Sequence, residues 1–106
     1  MDQYEFYNQP FEFYCTASEN GNSVAQACLG RNYIYGIGVK KNHRHGYYWI
    51  SKSGDKFAMS LILWGLCSEY GMGVPRDLFN AINYYRRAKT FSSKIRLDLL
   101  FLNNPS

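Results

Sequence analysis

The feature that most constrains this chain is a repeat at a fixed offset of 35 residues. The string Gly36-Ile37-Gly38-Val39 returns as Gly71-Met72-Gly73-Val74, and Gly30 and Tyr35 return in phase as Gly65 and Tyr70. A single glycine-rich tetrapeptide would carry little weight. Two at constant spacing, each with a glycine and a tyrosine upstream in register, define a structural unit. A unit of this size cannot bury its apolar face alone, so neighbouring units must stack and the ends need caps.

Each unit reads as helix, glycine turn, helix. In the second, Phe57 to Tyr70 is rich in Leu, Ile, Met and Trp, lacks proline and is too long for a strand. Gly71 then suits a left-handed C-cap, because glycine takes positive φ without a Cβ penalty. Val74 is expected to plug the turn back into the core, and Asp77, after Pro75, to cap the next helix. Leu78, Ala81, Ile82, Tyr85 and Ala88 follow at helical spacing, with Asn80, Asn83, Arg86 and Arg87 mostly on the other side.

The first unit repeats the scheme, with helices from about Ser23 to Tyr35 and from Asn42 to Ser53. Here Asn42 replaces Asp77, Lys40 replaces Pro75 and Gly46 replaces Ala81. Glycine inside a helix costs roughly 1 kcal/mol relative to alanine, which predicts that this second helix is the looser of the two. Residues 10–20 read as the second helix of an incomplete preceding unit, with Phe13 and Tyr14 in its aromatic positions. Residues 92–102 read as the opening helix of a following one. The expected chain is all-α, with about six helices in one domain over residues 1–106: a capping helix at 10–20, repeat one at 23–53, repeat two at 56–90 and a capping helix at 92–102.

Composition narrows the class. A hydrophobic content of 46% against 19% charged residues argues against disorder. Ten Tyr, seven Phe and two Trp supply flat, half-polar side chains of the kind used in recognition. Residues 1–20 hold four acids (Asp2, Glu5, Glu12, Glu19) and no base; the rest holds twelve bases against four acids. That polarity fits intramolecular complementarity, a polarised binding surface or a plain solvated surface. Cys15, Cys28 and Cys67 are odd in number and unpaired in spacing, as expected of reduced thiols in the cytoplasm. No basic region opens the chain as in a signal peptide, and the most apolar run, Ala58 to Cys67, is about half a membrane span.

Site chemistry is sparse. His43 and His45 stand two apart, on opposite sides of a helix, without Cys or carboxylate partners at ligand spacing, so no metal is expected. Lys40, Lys41 and Arg44 make one basic cluster with these histidines, and Arg86, Arg87, Lys89, Lys94 and Arg96 another. They could contact phosphates, meet an acidic protein, complement helix C-termini or serve solubility. No carboxylate pair, nucleophile or base falls in a recognisable catalytic spacing, and the cysteines lie in apolar segments without a basic neighbour. The glycine turns lack the Lys-Ser/Thr of a phosphate loop. Neither a catalytic residue nor a cofactor is expected.

The chain resembles the Sel-like repeat (SLR) family, relatives of the tetratricopeptide repeats. The resemblance rests on Gly65, Gly71, Gly73, Val74, Asp77, Ala81, Tyr84 and Ala88 in the second unit. In the first it rests on Ala25, Leu29, Gly30, Tyr33, Gly36, Gly38, Val39 and Trp49. Departures are Ser60, Trp64 and Ser68 in the second unit, and Gly46 and the missing Asp in the first. The resemblance implies an α/α superhelical solenoid of two full units with terminal half-units, acting as a non-catalytic protein-binding adaptor or regulator, including immunity-type inhibitors of a cognate effector. The first helix of each unit would line a groove for another protein, an acidic or extended segment being the expected guest, with the chain a monomer or weak oligomer. Positions there that the family pattern does not demand are the candidates: Gln26, Arg31, Asn32, Tyr35, Leu66, Glu69 and Tyr70. Tyr35 and Tyr70, one repeat apart, would form an aromatic ladder or else simply cover the turns. Nucleic-acid binding and structural self-association are the alternative readings.

Overall fold

Asparagine and aspartate caps, paired with glycine stops, divide the chain into short helices. The computed structural model describes residues 2–104. Its elements are α1 (Gln3–Phe6), α2 (Phe11–Glu19), α3 (Ser23–Tyr35), α4 (His43–Ser53), α5 (Ala58–Tyr70), α6 (Leu78–Ala88) and α7 (Phe91–Asn103). The described residues are all-α, without a strand. Six helices stand within a residue or so of their expected bounds. The additional single turn, α1, forms because the Asp2 carboxylate accepts from the Glu5 backbone N–H at 2.8 Å.

The two turns are copies of each other. Gly36 (φ 70°, ψ 43°) and Gly71 (φ 67°, ψ 45°) end α3 and α5 in the left-handed conformation. The next N–H groups, of Ile37 and Met72, reach back to the Asn32 and Cys67 carbonyls, each at 2.9 Å. The chain then returns, so that the Asn42 and Asp77 N–H groups bond the Tyr33 and Ser68 carbonyls, each at 2.8 Å. From there Asn42 Oδ1 accepts from His45 N at 3.0 Å and Asp77 Oδ1 from Asn80 N at 3.1 Å, starting α4 and α6. Val74 packs against the middle core as expected. The 35-residue sequence repeat is thus a repeat of backbone hydrogen bonds.

The core is segmented along the stack. Tyr14, Ala25, Cys28 and Leu29 fill the first layer; Ala27, Ile34, Ile50, Leu63, Cys67 and Met72 the second; Ala81, Tyr85 and Leu100 the third. Tyr14, Ile50 and Tyr85, one each in α2, α4 and α6, are fully buried. The molecule is elongated, 44 × 27 × 19 Å. Such layered cores put most contacts between sequence neighbours, as in other stacked repeats.

Packing of the first unit corrects one expectation. Gly46 does not make α4 loose. A Cβ on Gly46 would lie 2.8 Å from the Gly30 carbonyl oxygen, and one on Gly30 would lie 2.8 Å from the Gly46 carbonyl oxygen. The backbones of α3 and α4 therefore touch at these two glycines, with Ile34 and Ile50 closing over them. In the second unit the glycine has another use: a Cβ on Gly65 would strike the buried ring of Tyr85, 2.7 Å from Cδ1.

Candidate partner-binding face

The first helices form the continuous layer of the stack. α3 packs directly on α5, and α5 is tied to α7 by side chains. Tyr35 and Tyr70 stand at the C-terminal ends of α3 and α5, immediately before the glycine turns, and expose 47% and 57% of their surface. Burial, and next the nearby Cys67 thiol, push the Tyr35 phenol above its ordinary value, while the charges of Arg96 and Glu69 also act on it. Tyr35 therefore shares its neighbourhood with the polar cluster at the end of α5.

That cluster is built around Glu69. Its Oε1 accepts from the buried Tyr85 hydroxyl at 2.8 Å and from Arg96 Nη2 at 2.9 Å. The same Arg96 nitrogen donates to the Tyr70 hydroxyl at 2.7 Å, and the guanidinium lies 5.6 Å from the Tyr70 ring centre. Arg96 Nε is buried and unpartnered. Desolvation would lower the Arg96 pKa, but the bonds to Glu69, Tyr70 and Tyr85 outweigh it and raise it. A cleft of about 350 Å³ beside this cluster is lined by Glu69, Tyr70, Arg76, Leu100, Asn103 and Asn104. Surface aromatic rings beside a fixed donor array can hold a peptide, with the rings supplying area and the polar groups direction.

The other expected residues are placed differently. Leu66 is half-buried and bridges the second and third core layers. Gln26 and Asn32 are inside the fold, 5% and 1% exposed. The end of α2 covers Gln26, whose Nε2 donates to the Ser18 carbonyl at 3.2 Å. Arg31 is partly covered by the segment after α1: its Nη2 faces the Tyr7 carbonyl at 3.5 Å and its guanidinium sits 5.9 Å from the Tyr14 ring centre. A cleft of about 400 Å³ lined by Tyr7, Asn8, Gln9, Arg31, Asn32 and Ile37 remains there.

Arg96 is the residue that sequence reasoning misassigned to a basic cluster. The signal available was its line with Ser93 and Leu100, three before and four after, on the inward stripe of α7. A cation on a buried stripe requires an acid, and Glu69 is the one acid of α5. Arg87 leaves the same cluster by pairing with Asp55. In the other cluster, His45 stacks on Tyr33 with centroids 4.3 Å apart.

No thiol in the fold is activated. Burial pushes Cys67 up to about 12 and raises Cys28, and Cys15 is raised first by burial and then by Glu19 and Glu12. Cys15 is half-buried, whereas the other two are closed off. In the native chain at neutral pH a thiol reagent is expected to label Cys15 alone, with Cys28 and Cys67 labelled only after unfolding, read by intact-mass spectrometry. The Cys67 pKa is higher folded than unfolded, so the neutral-thiol contribution is complete below about pH 9. It is lost as pH rises from there towards about 12, so the denaturation midpoint should fall over that range, and less steeply in Cys67→Ala.

The Sel1 repeat family profile matches residues 23–56 and 58–90, and the chain belongs to the Sel1 repeat family. It is 32% identical over 73 residues to an uncharacterized Sel1-like repeat-containing protein of Schizosaccharomyces pombe, a match covering 67% of this chain and 11% of that protein. It is 30% identical over 84 residues to HRD3A, an ERAD-associated E3 ubiquitin-protein ligase component of Arabidopsis thaliana, covering 78% and 12% respectively. The chain thus spans only a small part of the length of the curated relatives it matches. A solved Sel1 repeat protein from Oxalobacter formigenes superposes with a TM-score of 0.68 at 28% identity, over 77% of this chain and 35% of that one. No described helix is long and apolar enough to cross a membrane.

Proposed function

We propose that this chain is a non-catalytic protein-binding module, an adaptor that holds an extended or acidic segment of a partner against the ends of α3, α5 and α7. The observation that carries this reading is the pair Tyr35 and Tyr70, half-exposed one repeat apart and flanked by Arg96. Arg96, paired with Glu69, holds the Tyr70 ring already oriented, which lowers the entropy lost on binding. Membership of the Sel1 repeat family, and the plant relative's name as a ligase component, support an adaptor role. Three free cysteines, none with a lowered pKa, support a reducing compartment such as the cytoplasm.

The test is affinity capture followed by titration of the partner found. Tyr35→Ala and Tyr70→Ala are each expected to weaken binding by about tenfold, the range of an interface aromatic at a binding centre. Both side chains are half in water, so the circular dichroism melt should hold. Unchanged affinity in both variants would overturn this face as the binding site.

A further inference from the structure

The two repeats differ at one place where their frames agree. In the first, the ring of Tyr33 lies stacked on His45, with centroids 4.3 Å apart, and edge-on to Phe11, at 5.5 Å. The 35-residue offset carries Tyr33 to Ser68 and His45 to Asn80. Phe11 is matched in space by Tyr47: a Cβ on Gly38 would lie 3.1 Å from Phe11 Cβ, and one on Gly73 would lie 2.7 Å from Tyr47 Cβ. The backbone is held alike in both, because the Tyr33 and Ser68 carbonyls each accept from the residue that caps the next helix, at 2.8 Å. The second repeat thus keeps the walls of an aromatic site and lacks its ring.

A cleft of about 230 Å³ stands there, lined by Tyr47, Ser68, Asn80 and Tyr84 and by the turn from Val74 to Asp77. A cavity of about 150 Å³ is enough to bind benzene, so one aromatic ring fits. Neighbouring rings do not fill it. Tyr84 is stacked on Trp64, with centroids 5.1 Å apart, and that stack holds Tyr84 as a wall. The extra bulk of Trp64, where the first repeat has Leu29, goes into the stack and not into the cleft. The walls come from α4, α5 and α6, and α7 packs beyond them on α6, so the opening is internal to the stack.

We propose that the cleft over Ser68 receives one aromatic side chain, tyrosine or phenylalanine, from a partner protein, whose ring takes the place that Tyr33 fills in the first repeat. Tyr47 and Tyr84 supply the ring contacts. The rim favours a ring carried on a polypeptide over a free one. Asn80 and Asp77 are exposed there. An amide pairs with both the N–H and the C=O of a bound residue, and a carboxylate accepts a further N–H. Neither Tyr35 nor Tyr70 lines this cleft, so the site stands independently of the face at the helix ends.

The probes are p-cresol, which is the tyrosine side chain as a free molecule, and two capped tripeptides, acetyl-Gly-Tyr-Gly-amide and acetyl-Gly-Leu-Gly-amide. Each is titrated into the 106-residue chain and followed by amide NMR. p-Cresol should shift the Ser68, Val74 and Asn80 signals saturably, with a Kd of roughly millimolar order for so small a ligand. The tyrosine peptide should shift the same signals and bind at least as tightly, and the leucine peptide should bind several-fold more weakly. Ser68→Tyr supplies the ring from the chain itself, so it should abolish binding and raise the thermal midpoint. Asn80→His, an exposed change, installs the stacking partner that Tyr33 has and should tighten binding several-fold without touching the buried Ser68. No saturable shift at this cleft, or an affinity that Asn80→His leaves unchanged, overturns the proposal; so does a folded Ser68→Tyr variant that still binds. A leucine peptide that binds as well as the tyrosine one overturns the aromatic assignment, and binding of p-cresol without the tyrosine peptide overturns the protein partner.

Discussion

Gly46→Ala is expected to destabilise the chain by about 2 kcal/mol and to lower its thermal midpoint by roughly 10 °C, although the same change improves helix propensity. Two effects of opposite sign compete at this position. Replacing a helical glycine by alanine gains up to about 1 kcal/mol through the lost freedom of the unfolded chain. Against this, the new methyl would sit 2.7 Å from Ile34 Cγ1 and 2.8 Å from the Gly30 carbonyl oxygen. Ile34 could change rotamer, but the carbonyl belongs to the backbone of α3 and can recede only if the whole helix moves. Overpacking a close helix contact typically costs about 1–3 kcal/mol, and a backbone obstruction belongs at the upper end, so the clash wins. Ser51→Ala, on the exposed side of the same helix, is the control and should be neutral or slightly stabilising. A midpoint that rises in Gly46→Ala, as it does for the control, would show that α3 and α4 are not in backbone contact.

That competition shows where the residues were informative and where they were not. Glycine stops, Asn and Asp caps and the apolar periods act through the backbone within a few residues of themselves. The bounds of α3 to α6 and the duplicated turn could therefore be read from the chain alone. The sense of Gly46 could not, because propensity describes a helix by itself and Gly46 is decided by Gly30 on another helix. α1 was missed because a single turn held by Asp2 carries no periodicity. The candidate site divides for the same reason. Tyr35 and Tyr70 lie at helix ends, next to turns that keep them at the surface. Gln26 and Asn32 lie in mid-chain positions whose exposure is set by what passes over them, the end of α2 in the first case and a fold that leaves 1% exposure in the second. A position left unspecified by a repeat pattern is not thereby exposed.

Arg96→Met should be the second large effect, a loss of about 2 kcal/mol together with weakened partner binding. Removing the guanidinium while keeping the length of the side chain leaves the Glu69 carboxylate, only 12% exposed, with the Tyr85 hydroxyl as its remaining side-chain partner. An uncompensated buried charge costs about 3–5 kcal/mol, and the smaller figure here reflects the 26% of the Arg96 side chain that remains in water. Glu69→Gln should cost less, because an amide oxygen still accepts from Tyr85 and the charge left without a counter-ion, that of Arg96, is the more exposed of the two, 26% against 12%. In the double variant the stranded charge is gone, so Arg96→Met should cost at least about 1 kcal/mol less in the Glu69→Gln background than in the native one. Additivity within about 0.5 kcal/mol would instead mean that Arg96 and Glu69 do not depend on each other. The same variant connects stability to recognition. Arg96 Nη2 holds the Tyr70 hydroxyl as well as Glu69, so its loss frees the Tyr70 ring to turn. Partner affinity should therefore fall in Arg96→Met even below its melting range, and Tyr70→Ala should then cost less in that background than in the native one. If the two losses in affinity simply multiply, Arg96 contributes to binding by its charge alone and does not orient Tyr70.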